Sequence, residues 1–183
     1  MRVRLLTPLL LVAALAAGCG EDQEQPQALP SVAVTTATTA PSPTSAPVPT
    51  EAQAETPQGA AAFARHWFDT LNAAAQTGQT GDLRALGYPG CEACNNFAES
   101  IDVLYTDGGG IRGGVFTVVA AESPDDVDVA EATVTVVYDV TPTEQLAKDG
   151  SVDRQIEALQ KVEGEMTLVR GAGGWLVREL ITQ

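Results

Sequence analysis

Hydrophobic residues in the middle of the chain recur with the 3.6-residue period of an amphipathic helix, starting directly after Thr56-Pro57. A threonine followed by a proline is typical of a helix start. The threonine side chain caps a free backbone N–H group, and the first helical residue makes no intrahelical bond with its N–H, so proline loses nothing there. Phe63, Trp67 and Leu71 lie one turn apart and define the apolar face. The pattern predicts three helices, which cover Thr56–Gly78, Thr80–Gly87 and Cys94–Thr106.

After the glycine-rich turn at Gly108–Gly110 the hydrophobic period changes from 3.6 to 2, which is typical of β-strands. The first half of the third candidate strand also suits a helix, and both alternatives stay open. The predicted strands are Val115–Ala121, Asp128–Val140, Ile156–Arg170 and Trp175–Thr182. Helices followed by antiparallel strands predict one α+β domain over residues 58–183, with the helices packed on a sheet of about four strands.

The N-terminus has the pattern of a secretion signal. Arg2 and Arg4 precede a short apolar run, Leu5–Ala17, which is too short to span a bilayer as a stable helix. The run ends in Ala-Gly-Cys, and here the sequence resembles a bacterial lipoprotein signal peptide over residues 1–18. The resemblance implies a diacylglyceryl group on Cys19, cleavage before it, and a lipid anchor at the cell membrane on the extracytoplasmic face. The alternative is an ordinary secretory signal.

Residues 19–57 contain few large apolar side chains and many Pro, Thr, Ser and Ala residues. Such a segment cannot bury enough surface to offset its backbone entropy, so we expect a disordered or polyproline-like tether. The tether is either a plain spacer or a stalk that carries sugars on its threonines. In both cases it joins the anchor to the domain.

The composition excludes several classes of protein. The chain has 10 basic and 24 acidic residues and a formal net charge of −14. We therefore expect no nucleic-acid partner and no adhesion to anionic lipid by a basic patch. Aromatic residues make up 5% and charged residues 19%, which also argues against a coiled coil.

The order of helices and strands resembles the cone-shaped superfamily named after nuclear transport factor two (cystatin-like), whose helices pack into a curved antiparallel sheet. The closing hairpin, Gly173–Arg178, is the most recognisable part. The whole chain is also similar to a family of lipoproteins of unknown function from high-GC Gram-positive bacteria. The residues that carry this second resemblance are Gly59-Ala60, Phe63, Phe68–Asn72, Cys91, Cys94, Ile101, Tyr105 and the glycine-rich turn. Candidate pocket residues in such a cone are Phe63, Trp67, Tyr105 and Tyr138.

Cys91 and Cys94 remain as a pair once Cys19 is assigned to the anchor. In an oxidising compartment this count favours a structural disulfide that closes a very small loop. A redox-active Cys-x-x-Cys is an alternative, although Glu92 inside the motif disfavours a thiolate. A zinc site would need four ligands, and His66 is the chain's single histidine.

Two further groups of side chains are candidates for chemistry. His66 and Asp69, three residues apart, could form an acid–base pair on one helix face, but we interpret them as a solvated face. The aspartates at 125, 126 and 128 lack the spacing of a calcium loop, and we interpret them as a solvated hairpin loop. We predict no metal and no cofactor.

These observations predict a membrane-anchored, extracytoplasmic lipoprotein. Its domain would be noncatalytic and would bind a small apolar molecule or a cell-envelope protein. Two alternatives remain: a small enzyme of isomerase, cyclase or hydrolase type in the same fold, and a purely structural envelope protein.

Overall fold

The computed structural model describes residues 47–124 and 130–182 of the chain. The predicted signal peptide, Cys19, the tether before residue 47 and the acidic cluster at residues 125–128 lie outside these residues. Within the described part the fold is α+β, as predicted, with helices packed on curved antiparallel sheets.

Helix α1, Pro57–Thr77, begins and ends where its sequence signals predict. The Thr56 side chain accepts a hydrogen bond from the Gly59 N–H at 3.0 Å, and Pro57 occupies the first helical position. Gly78 ends the helix in the left-handed conformation at φ 73°, which glycine adopts without strain. The apolar face of α1 is buried against the sheet.

Helices α2, Gly81–Ala85, and α3, Glu92–Thr106, follow. The third helix starts two residues before its predicted position. Asp102 of α3 joins the two helices, because it accepts hydrogen bonds of 2.6 Å from the Thr80 hydroxyl and of 2.6 Å from Arg84. The Thr80 hydroxyl and the Arg84 guanidinium hold the pKa of the Asp102 carboxyl below its usual range.

The main sheet, which we call sheet A, contains four antiparallel strands in the order β2-β3-β6-β7. These strands are β2 Phe116–Glu122, β3 Glu131–Val140, β6 Leu159–Gly171 and β7 Gly174–Thr182. They correspond to the four predicted strands. The open alternative of a helix in the first half of the third strand is excluded, because that region is extended on both sides of a break after Ile156.

A second sheet, sheet B, was not predicted. It contains three short antiparallel strands in the order β1-β4-β5: β1 Gly110–Gly113, β4 Thr143–Leu146 and β5 Val152–Ile156. Every residue of β5 is exposed. Short, polar and exposed strands have no alternating apolar face, so the hydrophobic period does not reveal them.

The hydrophobic core lies between α1, α3 and sheet A, and its centre is aromatic. Ring centroids of neighbouring side chains are 5.0 to 6.1 Å apart. Phe68 is the hub, since it contacts three other rings and is 1% exposed. The rings of this cluster are Trp67, Phe68, Phe97, Phe116 and Tyr138.

Side chains of α1 also bind the outer edge of β2. The Asn72 amide donates to the Phe116 carbonyl at 2.8 Å and accepts from the Phe116 N–H at 2.8 Å. Arg65 donates to the Val118 carbonyl at 3.0 Å. These bonds satisfy backbone groups that would otherwise face away from β3 without a partner.

The folded region starts earlier than the sequence pattern predicts. Residues 47–57, which composition assigns to the disordered tether, have defined structure and pack against the domain. A single 3₁₀ turn, Glu51–Gln53, precedes α1, and Ala52 within it is 1% exposed. We name residues 47–55 the strap.

Candidate functional site

The strap is held by two side chains at the β6–β7 hairpin. The Trp175 indole N–H donates to the Ala54 carbonyl at 2.9 Å, and Arg170 forms an ion pair with Glu55 at 2.5 Å. The Arg170 guanidinium also lies 4.8 Å from the centre of the Trp175 ring, which is a cation–π contact. Two neighbouring side chains of one hairpin therefore hold the end of the strap.

Local geometry fixes the shape of the strap. The Gln53 side-chain amide donates to the Val48 carbonyl at 2.8 Å and closes the strap on itself. Gly59 of α1 lies directly under Ala54, and a Cβ atom at this position would collide with the Ala54 carbonyl. The glycine at position 59 is therefore needed for the strap to lie against the helix.

A cavity of about 290 Å³ lies beneath the strap. The strap supplies one wall, and α1, the end of α2 and the β6–β7 hairpin supply the others. Every lining residue is uncharged, and most are apolar. The lining residues are Val48, Ala52, Gln53, Phe63, Ala85, Leu86, Gly173, Gly174, Trp175 and Leu176. We name this space the strap cavity. Its volume is near the lower end of the range for small-molecule sites, about 300 to 1,000 Å³.

The four candidate pocket residues lie in different surroundings. Phe63 lines the strap cavity. Trp67 and Tyr138 are packed in the aromatic core, where burial raises the pKa of the Tyr138 hydroxyl. Tyr105 donates from its hydroxyl to the Ala75 carbonyl at 2.7 Å and packs over Gly78.

Trp67 carries an unusual feature. Its indole nitrogen is buried and has no hydrogen-bond partner among the described residues. An unpaired buried donor costs free energy, so this position is a weak point of an otherwise well-packed core.

The predicted disulfide is present. Cys91 and Cys94 are bonded to each other at the N-terminus of α3. The two residues are 0% and 3% exposed, and this burial hinders attack by a thiolate on either sulfur atom. The disulfide also lies beside β7, because the Cys94 sulfur is 3.9 Å from the Val177 carbonyl oxygen. This placement supports the structural role over the redox alternative.

The interpretation of His66 as part of a solvated face is wrong. His66 is buried, with 8% of its surface exposed, whereas Asp69 is exposed. Burial lowers the pKa of the His66 imidazole, and the nearby Asp69 carboxylate opposes this in part. Burial therefore favours the neutral form of the His66 imidazole.

Two open clefts are more polar than the strap cavity. One, of about 390 Å³, lies over sheet B, where Glu144 accepts hydrogen bonds from Arg112 at 2.8 Å and from Gln155 at 3.0 Å. The other, of about 540 Å³, lies between the start of α3 and β7 and includes Glu92 and Arg178. Both expose charged side chains to solvent. Within residues 47–124 and 130–182, no group of three or more His, Cys, Asp or Glu side chains could hold a metal ion.

The family of the chain follows from a comparison with family models. The model described as "Family of unknown function (DUF6318)" matches residues 32–180, a range that includes the strap. The chain belongs to this family. No curated protein matches this DUF6318 member. None of the helices in the described residues is both long enough and apolar enough to cross a membrane.

Solved structures that are similar in fold to this DUF6318 member include three with sequence identities of 10 to 15%. The intermembrane space region of the chloroplast protein ARC6 has a TM-score of 0.49 at 10% identity, over 69% of this chain and 95% of that chain. Aln2 from a Streptomyces species has a TM-score of 0.42 at 14% identity, over 66% and 88%. An NTF2-like protein with a cystatin-like fold from Novosphingobium aromaticivorans has a TM-score of 0.40 at 15% identity, over 65% and 77%.

Sequence reasoning missed the residues that hold the strap. The hairpin Gly173–Arg178 was recognised as a structural element, but nothing in its pattern connects Trp175 with Ala54, which lies 121 residues earlier. The sequence does hold one usable signal: Trp175 and Arg170 lie close together in one hairpin. Both side chains need hydrogen-bond partners for their N–H groups when they are partly buried, which indicates that another segment covers them.

Proposed function

We propose that this protein is an extracytoplasmic lipoprotein whose domain binds a small apolar molecule in the strap cavity without catalysis. The observation that carries the proposal is the cavity itself, which is lined by uncharged, mostly apolar side chains. Apolar lining favours ligands that lose water at little cost, because burial of apolar surface contributes about 25 cal/mol per Å².

The shape of the cavity narrows the class of ligand. Phe63 and Trp175 are the aromatic residues of the lining, and Gln53 is its residue with a polar amide side chain. Such a site suits a compact aromatic or branched aliphatic molecule with at most one hydrogen-bonding group. A charged ligand would be desolvated without a compensating partner in the wall.

The cell location in this proposal depends on Cys19 and is supported by the disulfide. A buried Cys91–Cys94 bond suits a protein that folds in an oxidising compartment. The lipid anchor would keep the domain at the outer face of the cell membrane. We expect Cys19→Ser to abolish labelling by a fatty-acid analogue, and undiminished labelling of this variant would contradict the lipoprotein part.

The alternative of a small cone-fold enzyme has no comparable support. The residues that sequence reasoning offered for catalysis, His66 and Asp69, line none of the three cavities described above. The ligand-binding proposal instead uses Phe63, which was a predicted pocket residue.

Binding can be tested with n-butylbenzene as a probe, followed by amide and indole chemical shifts. We expect shifts at Val48, Phe63 and Trp175 that saturate with probe concentration. Ala85 is exposed at the rim of the cavity, so Ala85→Trp should block it and weaken binding at least tenfold. Ala73→Trp is the matched control, because Ala73 is an exposed helical alanine away from the cavity. Equal binding by both variants would refute the site.

The natural ligand can be sought by native mass spectrometry of protein taken from its own membrane. A retained small molecule that Ala85→Trp loses and Ala73→Trp keeps would identify it.

A further inference from the structure

The strap differs from the other walls of the cavity in how weakly it is held. Among its residues only Ala52 is buried, while Glu51, Gln53 and Glu55 are exposed. Its backbone bonds are those of a single turn: the N–H groups of Ala52 and Gln53 donate to the carbonyls three residues earlier, at 3.0 and 3.2 Å. A segment with so little buried apolar surface opens locally at low cost.

The contacts that hold the strap are concentrated at one end. Arg170 and Trp175 bind the stretch from Gln53 to Glu55. At the opposite end, Val48 packs against the core and accepts a hydrogen bond from the Gln53 side chain, which belongs to the strap itself. Loss of the hairpin contacts would therefore leave the strap held mainly by the packing of Ala52 and Val48.

The strap and a bound ligand must support each other, because the strap is a wall of the cavity. Val48, Ala52 and Gln53 would contact a molecule that fills it. A ligand that touches these residues binds the docked state more tightly than the undocked state, and by linkage it holds the strap in place.

We propose that the strap is a ligand-sensitive latch, and this inference rests on the proposed function. The strap is docked when the cavity is empty but opens from time to time, and a ligand in the cavity makes this opening rarer. Undocking frees residues 47–55, which are nine residues with an extended length of about 30 Å. In this way, ligand binding shortens the distance that the domain can reach from its proposed lipid anchor.

Hydrogen exchange of the full chain with n-butylbenzene tests the latch. The amides to follow are those of Ala52, Gln53 and Ala54, which donate to carbonyl groups within the 3₁₀ turn of the docked strap. At a probe concentration 100 times its dissociation constant, we expect their exchange through strap opening to slow by about 100-fold. The amides of β5 should keep their rates, because that strand lies outside the cavity.

A pair of arginine variants provides the second arm. Arg170→Gln removes the ion pair with Glu55 and should accelerate exchange of the strap amides and dissociation of the probe. Arg178→Gln is the matched control, since Arg178 forms a comparable surface ion pair, with Glu131 at 2.6 Å, and does not contact the strap. It should change neither rate.

The outcomes separate the two proposals. If the probe produces saturable shifts at Phe63 and Trp175 but the strap amides exchange at the same rate with and without it, the latch is refuted and the binding site stands. Equal probe dissociation from the Arg170→Gln and Arg178→Gln proteins also refutes the latch. If no shifts occur at any probe concentration, the binding site and the latch both fall.

Discussion

Sheets A and B are both built from antiparallel strands with regular backbone pairing, yet they have opposite surroundings. In sheet A, residues of β3 alternate between a buried face against the helices and an outer face, and β6 buries Gly164 and Met166–Leu168. In sheet B, β5 is exposed along its whole length, and Ile111 of β1 is the hydrophobic residue that packs on the core. Cross-strand polar contacts around Glu144 connect its three strands.

The difference shows that strand pairing and stability are separate properties. Backbone hydrogen bonds exchange partners with water on folding and contribute little net free energy, whereas buried apolar area contributes more. Sheet A should therefore carry most of the stability of the domain, and sheet B should open first. The following predictions test this contrast, from the largest expected effect to the smallest.

The aromatic core should be the most sensitive position. Phe68→Ala removes the hub of the cluster on sheet A, and we expect a loss of about 3 to 5 kcal/mol in the free energy of unfolding. The matched change in sheet B is Val152→Ala, a truncation of a residue that is 44% exposed, which should cost under about 0.5 kcal/mol. Chemical denaturation measures both. Similar losses for the two variants would contradict the contrast.

Removal of the strap should destabilise sheet A but not sheet B. A chain that starts at Thr56 leaves the Trp175 indole N–H without its acceptor at Ala54, and it exposes surface that Ala52 covers. We expect a loss of about 1 to 3 kcal/mol relative to a chain that starts at Pro47. The composition of residues 19–57, which predicts a disordered tether, would predict no loss of stability. Equal melting temperatures for the two chains would show that the strap does not dock.

Acidification should lower the stability of the domain through His66. Its pKa in the folded protein is lowered by burial below the unfolded value of 6.5, so the unfolded state binds the proton more readily. The stabilising contribution is complete above pH 6.5 and is lost as the pH falls from there through the folded pKa. His66→Gln should remove this part of the pH dependence, measured as unfolding free energy between pH 7 and pH 5. An unchanged slope would exclude His66 as its source.

The polar contacts of Glu144 in sheet B should contribute least to the free energy of unfolding. Glu144→Gln keeps the size of the side chain but removes the ion pair with Arg112, whose side chain is 64% exposed. Exposed pairs contribute about 0 to 1 kcal/mol, so we expect a change within that range that disappears at high salt. Hydrogen exchange of β4 and β5 should accelerate locally while sheet A keeps its rates. A global loss of stability would mean that the two sheets unfold as one unit.

The predictable parts of the structure are those with local signals. Helix α1 was found with its ends, because Thr56, Pro57 and Gly78 act on the backbone next to them. The strands of sheet A were found because one face of each is buried. The disulfide followed from the count of cysteines and their spacing.

The parts that were missed depend on contacts between distant residues or on exposure. Sheet B has too little apolar surface to show a period. The strap contains prolines and small residues like a disordered tether, and its order comes from Arg170 and Trp175, more than 100 residues later. The burial of His66 depends on how closely α1 is packed, which the helical period of its own residues does not reveal.

The double hydrogen bond between Asn72 and Phe116 has a consequence for protein held at high local concentration. An open strand edge is a template on which a second chain can add a strand, and repeated addition leads to aggregates. Asn72 and Arg65 occupy the backbone groups of β2 at Phe116 and Val118, and Tyr88 occupies β7 at Val177. Both margins of the larger sheet are thereby protected against self-association at these positions. Asn72→Ala should retain the fold but favour the growth of aggregates from the β2 margin.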